Sequence, residues 1–274
     1  MLLSIITPCF NAEKHITDCL LSVRRACQGI DYEHIVVDGG SADGTIEILK
    51  KQNDITWFSE KDNGMYDALN KGIALSRGLV VGHLNSDEQY NRKGLLEALS
   101  KMRTENSDGV LGPTVMLNGQ LEFLQLLKQV IVPRLQDVYW HMPIQSCSFL
   151  YKRVLWEHIP YDTKYRLVAD HVWFRSQMES GIKLTVVPKP IGIFTWHPNS
   201  LSNTKGKTNP EDALPDINKK SFKLKLAKHY YRLRKWLAGG YKKEPISFEY
   251  FKDNQLQCIT IQSPVLKVRP QVQK

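Results

Sequence analysis

The sequence has little cysteine and no pattern that would pair it. Cys9, Cys19, Cys27, Cys147 and Cys258 make an odd set of five with no C-x-x-C pair, which argues against a disulfide framework and against a zinc site built on cysteine. Cys9, Cys19 and Cys27 lie in apolar-patterned segments and read as buried free thiols of a reducing cytosol. No apolar stretch approaches membrane-spanning length. The opening residues, MLLSIITPCF, carry no basic residue ahead of their apolar run and soon reach Pro8. They are expected to form a first strand and not a signal peptide. Acid is missing from one segment: residues 219–243 hold ten Lys and Arg and no Asp or Glu, whereas the chain has 37 basic and 28 acidic residues. Without that segment 27 basic residues face 28 acidic ones, so no nucleic-acid-binding body is expected and the excess charge needs a local explanation.

At 274 residues the chain is long for one compact domain and short for two. Its first hundred residues alternate strand and helix patterns. Residues 2–7 read as a strand, with Asn11 as a cap for a helix on which Ile16, Cys19, Leu20, Val23 and Cys27 share one face. Residues 33–37 give a second strand that ends at Asp38, followed by a glycine-rich turn in which Asp43 caps a helix over 46–51. A third strand over 55–59 precedes Asn63-Gly64, which opens a helix packed through Met65, Ala68, Leu69, Gly72, Ile73 and Ser76. Asp67, Asn70 and Lys71 share the other face of that helix by their spacing.

Residues 79–90, LVVGHLNSDEQY, are an apolar strand that ends in Asn85, Ser86 and Asp87. In extended geometry Asn85 and Asp87 project to the same side, where one hard cation would meet both; an Asn-Ser-Asp turn that merely closes the strand is the alternative. The alternation predicts a mainly parallel α/β sheet with Thr7, Asp38, the 61–63 loop and Asp87 at one edge.

Four motifs in order, SIITPCFN, HIVVDGGSADGT, DNGMYDALNKGI and GHLNSDE, resemble the nucleotide-sugar half of a family 2 glycosyltransferase of the GT-A fold. The likeness is to enzymes of bacterial polysaccharide, O-antigen and colanic-acid-type biosynthesis. The resemblance implies a nucleotide-diphosphate-sugar donor, most often UDP-linked, and inversion at the anomeric carbon. It places Thr7 and Pro8 at the base pocket, Asp38 on the base or ribose, and Asn70 at a donor-contacting position, with Asp67 beside it on the same helix face. Asn85-Ser86-Asp87 takes the place of the D-x-D motif, so Mn2+ or Mg2+ rests on Asp87 and the diphosphate. Chemistry agrees: a strand-end carboxylate suits the imide N–H of uracil, and a divalent ion stabilises the charge that develops on a departing diphosphate.

In the second half, residues 108–115 read as a further strand, 120–132 give no clear pattern, and 143–153 read as a strand entering a helix. Residues 165–175, YRLVADHVWFR, resemble the family's ADYDLFLR segment and make Asp170 the expected general base, with His171 as the runner-up. Ser146-Cys147 stands where relatives usually carry His-Gln. His197 lies where related enzymes close a loop over the diphosphate, within reach of metal or phosphate. The expected division is a catalytic domain over 1–204 (nucleotide-sugar half 1–100, acceptor half 101–204), a linker over 205–218, and a basic amphipathic helix and tail over 219–274. That helix suits either an anionic membrane surface or ordinary packing on the domain. The expectation is a cytoplasmic enzyme, peripheral on the inner face of the plasma membrane, that transfers a hexosyl or N-acetylhexosaminyl group to a lipid-linked or oligosaccharide acceptor. A membrane-bound scaffold with a degenerate transferase domain is one alternative. A sugar-phosphate nucleotidyltransferase is the other, although residues 7–11 lack the glycine-rich, arginine-bearing loop it needs.

Overall fold

The computed structural model describes residues 2–139, 141–197 and 222–266. The first strands and helices follow the expected alternation: β1 (Leu3–Cys9), α1 (Ile16–Cys27), β2 (Tyr32–Asp38), α2 (Thr45–Leu49), β3 (Thr56–Ser59), α3 (Met65–Leu75) and β4 (Val80–His83). After them come β5 (Gln89–Tyr90), α4 (Arg92–Thr104), β6 (Gly109–Leu111), β7 (Thr114–Asn118), β8 (Phe123–Leu127) and α5 (Leu135–Val138). A 3-10 turn (Ser146–Ser148) leads to β9 (Phe149–Lys152), α6 (Arg153–His158), α7 (Ala169–Glu179), β10 (Leu184–Val186) and β11 (Gly192–Trp196). Helix α8 (Phe222–Leu237) and the hairpin of β12 (Ile246–Lys252) and β13 (Gln255–Ile261) complete the described chain.

Seven strands form the central sheet in the order β10-β6-β9-β4-β1-β2-β3. Its ladders are parallel except where β9 runs antiparallel between β4 and β6. Because β9 comes from the acceptor half, the two expected halves share one sheet. Strand β1 is buried throughout and feeds both faces by its two-residue period. Ile6 packs with Ile35, Val37, Leu69 and Phe174 under α3 and α7, whereas Leu3 and Ile5 pack with Val23, Leu95 and Met102 under α1 and α4. Burial of each such side chain contributes about 1.5–3 kcal/mol. Helix α3 approaches the sheet closely because Gly72 has no Cβ: one added there would lie 2.5 Å from Ile6 Cγ2.

The expected strand over 108–115 is divided between two sheets. Pro113, which has no N–H for a ladder, stands between β6 and β7, and β7 joins a second sheet ordered β5-β11-β7-β8. Strand β8 lies within the stretch 120–132 that had no clear pattern. The β12–β13 hairpin turns on Asp253 and Asn254, whose φ values of 53° and 66° match the two-residue turn favoured between twisted strands. Asp18 of α1 accepts both of their backbone N–H groups, and Phe248 and Tyr250 join Val115, Leu117 and Ile193 in a separate core. The end of the chain therefore contributes packed structure as well as a basic helix. The expected linker over 205–218 lies outside the described residues, as do 267–268 of the final extended stretch.

Asn11 does not cap α1. It sits at φ 49° and accepts a hydrogen bond from Ala42 N–H, tying the β1 loop to the glycine-rich turn. Cys9, Cys19, Cys27 and Cys147 are buried free thiols, whereas Cys258 is exposed. Among the described residues no helix is long and apolar enough to cross a membrane.

Candidate active site

The parallel strands β1, β2, β3 and β4 end on the same side, and their register sets Cys9 beside Asp38 and Asp38 beside Ser59. Beyond that edge opens a cavity of about 600 Å³. Its walls include Pro8, Phe10 and His15 from the β1–α1 connection, Asp62 from the β3–α3 loop, and Asn85, Ser86, Asp87 and Glu88 from the β4–β5 loop. Gln145, Ser146, Arg166, Asp170 and His197 face them from the second half. The structure thus brings Pro8, Asn85, Ser86, Asp87, Asp170 and His197 to one cavity from four separate places in the sequence.

The residues 85–88 are not extended. Glu88 N–H donates to the Asn85 carbonyl at 3.0 Å, which closes a turn and sends the two expected metal-side groups to different partners. Asn85 Oδ1 lies 2.9 Å from His83 Nε2. Asp87 Oδ2 instead lies 2.9 Å from His197 Nε2, so the turn directs Asn85 to His83 and Asp87 across to His197. The hydrogen bond to Asp87 raises His197 above the ordinary imidazole value, and burial only partly opposes it. His15, just ahead of α1, stacks on His197 with ring centroids 5.8 Å apart and planes 9° from parallel. Burial lowers the His15 pKa, with Asp87 acting against that shift.

Glu88 is the buried neighbour of this pair. Its Oε2 accepts the Asn85 backbone N–H at 2.8 Å, whereas among the described residues its Oε1 has no hydrogen-bond partner. Burial, reinforced by Asp87, pushes its carboxyl up to about 8, so it holds a proton at neutral pH.

The remaining predicted residues lie outside the cavity wall. Thr7 is buried, with Oγ1 2.9 Å from His34 Nε2. Asp38 is also buried and accepts from Gly40 N–H, Ser41 N–H and the hydroxyls of Ser41 and Ser59. Burial raises its pKa, but the hydrogen bonds from Ser41 and Ser59 outweigh that and leave it below the usual carboxylate range. Gly40, at φ 86°, provides the left-handed turn that returns the backbone over the carboxylate. Asp67 Oδ2 accepts Asn63 N–H and pairs with Lys71. The Asn70 side chain bonds the backbone of Tyr161 in both directions and accepts from Trp156 Nε1 at 2.7 Å, bracing α3 against the segment before α7. His171 is buried and its Nε2 is held by the Val138 carbonyl, turned to packing and not to the cavity.

Asp170 lies in the first turn of α7 and accepts His171 N–H at 2.8 Å. His15, Asp62, Glu88, Gln145 and Arg166 are the cavity residues that motif reading had not singled out. Of these, Asp62, Glu88 and Arg166 lay inside quoted motifs; a lone His before a helix carries no pattern of its own.

An open α/β sheet with chemistry at the carboxyl edge of its strands, faced by a carboxylate from a second half, is the architecture of GT-A glycosyltransferases. Residues 4–187 match the family model of Glycosyl transferase family 2, and the chain belongs to that family. Over 266 residues it is 24% identical to the uncharacterized glycosyltransferase EpsJ of Bacillus subtilis (strain 168), covering 89% of this chain and 73% of that protein. It is 29% identical over 175 residues to a PGL/p-HBAD biosynthesis glycosyltransferase of Mycobacterium tuberculosis, covering 61% of this chain and 66% of the relative. Among solved structures, S. aureus TarS 1–349 in complex with UDP aligns with a TM-score of 0.58 at 22% identity, over 72% of this chain and 61% of that one. TarS has also been crystallised with UDP-GlcNAc. The likeness to TarS is one of fold.

Proposed function

We propose that this protein is an inverting glycosyltransferase of cell-surface glycan biosynthesis, moving a hexosyl or N-acetylhexosaminyl group from a UDP-sugar to a lipid-linked or oligosaccharide acceptor. The observation that carries the reading is the meeting of Asp87 and His197 with Asp170 in one cavity at the strand edge. The uridine donor is supported by the complexes of TarS with UDP and UDP-GlcNAc.

In this reading residues 1–100 serve the donor and 101–204 the acceptor. Pro8 lines the base end of the cavity, and Thr7 and Asp38 act from beneath it as positioning residues. Asp38 fixes the 39–41 turn, and a uracil imide N–H would reach its carboxylate by displacing a serine hydroxyl. Asp67 and Asn70 hold α3 in place, while Asn85 and Ser86 shape the turn that presents Asp87.

The residues fit a divalent cation. Asp87 and His197 offer one oxygen and one nitrogen donor 2.9 Å apart, and among the described residues no three His, Cys, Asp or Glu converge on a metal site, leaving the remaining positions to diphosphate and water. A carboxylate and imidazole pair suits Mn2+ better than Mg2+. Asp87 and His197 would hold the cation there, which would supply Lewis-acid stabilisation of the charge on the leaving diphosphate. Asp170 takes the proton from the acceptor hydroxyl as that oxygen bonds to the anomeric carbon and the bond to the diphosphate breaks. One displacement inverts the centre. In this reading the enzyme acts on a lipid-linked acceptor peripherally at the inner face of the plasma membrane, with the basic helix α8 toward the surface.

A screen of UDP-sugars by UDP release, repeated with Asp170→Asn, tests this assignment. The variant is expected to bind UDP normally and lose transfer by about 10³-fold. Transfer near the wild-type rate would remove Asp170 from the base role.

A further inference from the structure

Helix α8 is docked with its most apolar stripe outward. Tyr231 and Lys235 are buried on its inner side. Arg234 is anchored there as well, donating to Asp137 Oδ2 at 3.0 Å and to the Val132 carbonyl at 2.8 Å. Phe222, Leu226, Tyr230, Leu233 and Leu237 recur every three or four residues on the opposite side, with Trp236 alongside. Phe222 is 72%, Trp236 63% and Leu237 70% exposed. Packing on the domain and an outward apolar face were rival readings of the sequence; the structure has both, on opposite sides of one helix.

The charge on the helix selects the occupant. Its sixteen residues carry six Lys and Arg and no acid, and Lys225 and Arg232 are exposed beside the stripe. A second copy of the chain would set another acid-free basic helix against this one, and like charges at close range repel. An anionic phospholipid surface takes the apolar side chains into its acyl boundary and pairs the flanking cations with headgroups. We propose that the outward face of α8, with Phe222, Leu226, Tyr230, Leu233, Trp236 and Leu237, is a docking surface for an anionic lipid bilayer. The proposal deepens the functional reading and rests on it only for what the surface serves. Helix α8 packs on α5 and α5 on α7, whose first turn carries Asp170, so the lipid-facing helix is joined to the acceptor side through rigid contacts.

The test is flotation of the full-length protein with vesicles of phosphatidylcholine alone and of phosphatidylcholine mixed with phosphatidylglycerol. Binding is expected only to the mixed vesicles, weakening as salt is raised. A Leu226→Ser/Leu233→Ser/Leu237→Ser variant should bind them about tenfold more weakly or worse, with its thermal melt and UDP titration unchanged because the three positions face outward. Lys225→Glu/Arg232→Glu should lose binding through charge alone. Folded wild-type protein that ignores mixed vesicles, or variants that bind as the wild type does, would overturn the proposal. A lipid-free dimer in sedimentation that the triple serine variant abolishes would reassign the stripe to a second copy. Vesicle binding without UDP binding would leave this inference standing and remove the donor reading; UDP binding without vesicle binding would do the reverse.

Discussion

Asp38 and Asp87 follow the two strands that flank β1, one at the end of β2 and the other just past β4, and their surroundings are opposite. Asp38 is buried and accepts from two backbone N–H groups and two serine hydroxyls, which is about all a carboxylate can take. Asp87 lines the cavity and is bonded to His197. A carboxylate whose lone pairs are already used by its own chain shapes a loop, whereas one left facing a cavity has capacity for a ligand. In sequence both are acidic residues at the end of an apolar strand. Much of the difference is local: Gly40 and Ser41 bond Asp38 from the turn that follows it, whereas Asp87 meets a partner far along the chain in His197.

The largest effect that would sharpen this contrast is on catalysis. Asp87→Ala is expected to lower metal-dependent transfer by about 10³-fold, read as UDP release at saturating donor, with a melting temperature little changed at a pH above the raised pKa of His197, where the pair no longer stabilises. Asp38→Ala should act chiefly on the fold. It removes the acceptor of the half-buried Ser41 hydroxyl, the exposed Ser59 hydroxyl and two N–H groups of the 39–41 turn, which water can partly replace, so a loss of about 1–2 kcal/mol in denaturant unfolding is expected. If Asp38→Ala kept full stability and lost transfer as completely as Asp87→Ala, the contrast would break.

Smaller effects come from proton binding. His197 must be neutral to ligate a metal, and its folded pKa lies above the ordinary imidazole value. The gain in UDP affinity from Mn2+ should therefore fall as pH drops through that raised value, by up to about tenfold per unit, in titrations at successive pH. The same raised pKa makes the Asp87–His197 pair stabilising below the ordinary imidazole value and lost as pH rises past the folded one. His197→Gln should remove both dependences.

Glu88 gives the smallest signal. Its folded pKa, about 8, exceeds its unfolded value, so between the two the native state holds a proton that the unfolded chain has released. Stability must then decline as pH rises through that window. Glu88→Gln cannot ionise and should flatten that decline in melts compared between about pH 5 and about pH 8.

Local pattern carried much of this architecture. Period-2 and helical spacing were enough to place β1 to β4 and the helices between them, because each is buried on a regular face. Asp87 and Asp170 stood out because each follows a pattern break within a recognisable motif, and the structure brings both to one cavity. The Ser59 bond to Asp38 and the Trp156 and Tyr161 bonds to Asn70 were not legible, since those partners lie far along the chain, whereas Gly40 and Ser41 follow Asp38 directly in the glycine-rich turn. At Asn85 two geometries were open, an extended end and a closing turn, and the structure takes the turn. The transfer of β7 to a second sheet depends on Pro113, whose consequence appears only once β11 is there to pair with. On α8 the apolar spacing was visible, but not which side would pack, since Lys235 is buried while Leu237 and Trp236 face outward.

The central claim is that Asp87 makes the cavity a metal-assisted site for a nucleoside diphosphate. Calorimetric titration of the wild-type protein and of Asp87→Ala with UDP, each with and without Mn2+, tests it most directly. The account predicts that Mn2+ tightens UDP binding by about tenfold or more in the wild type and has no effect in the variant. Absence of UDP binding in every condition, or a Mn2+ effect that survives Asp87→Ala, would contradict it.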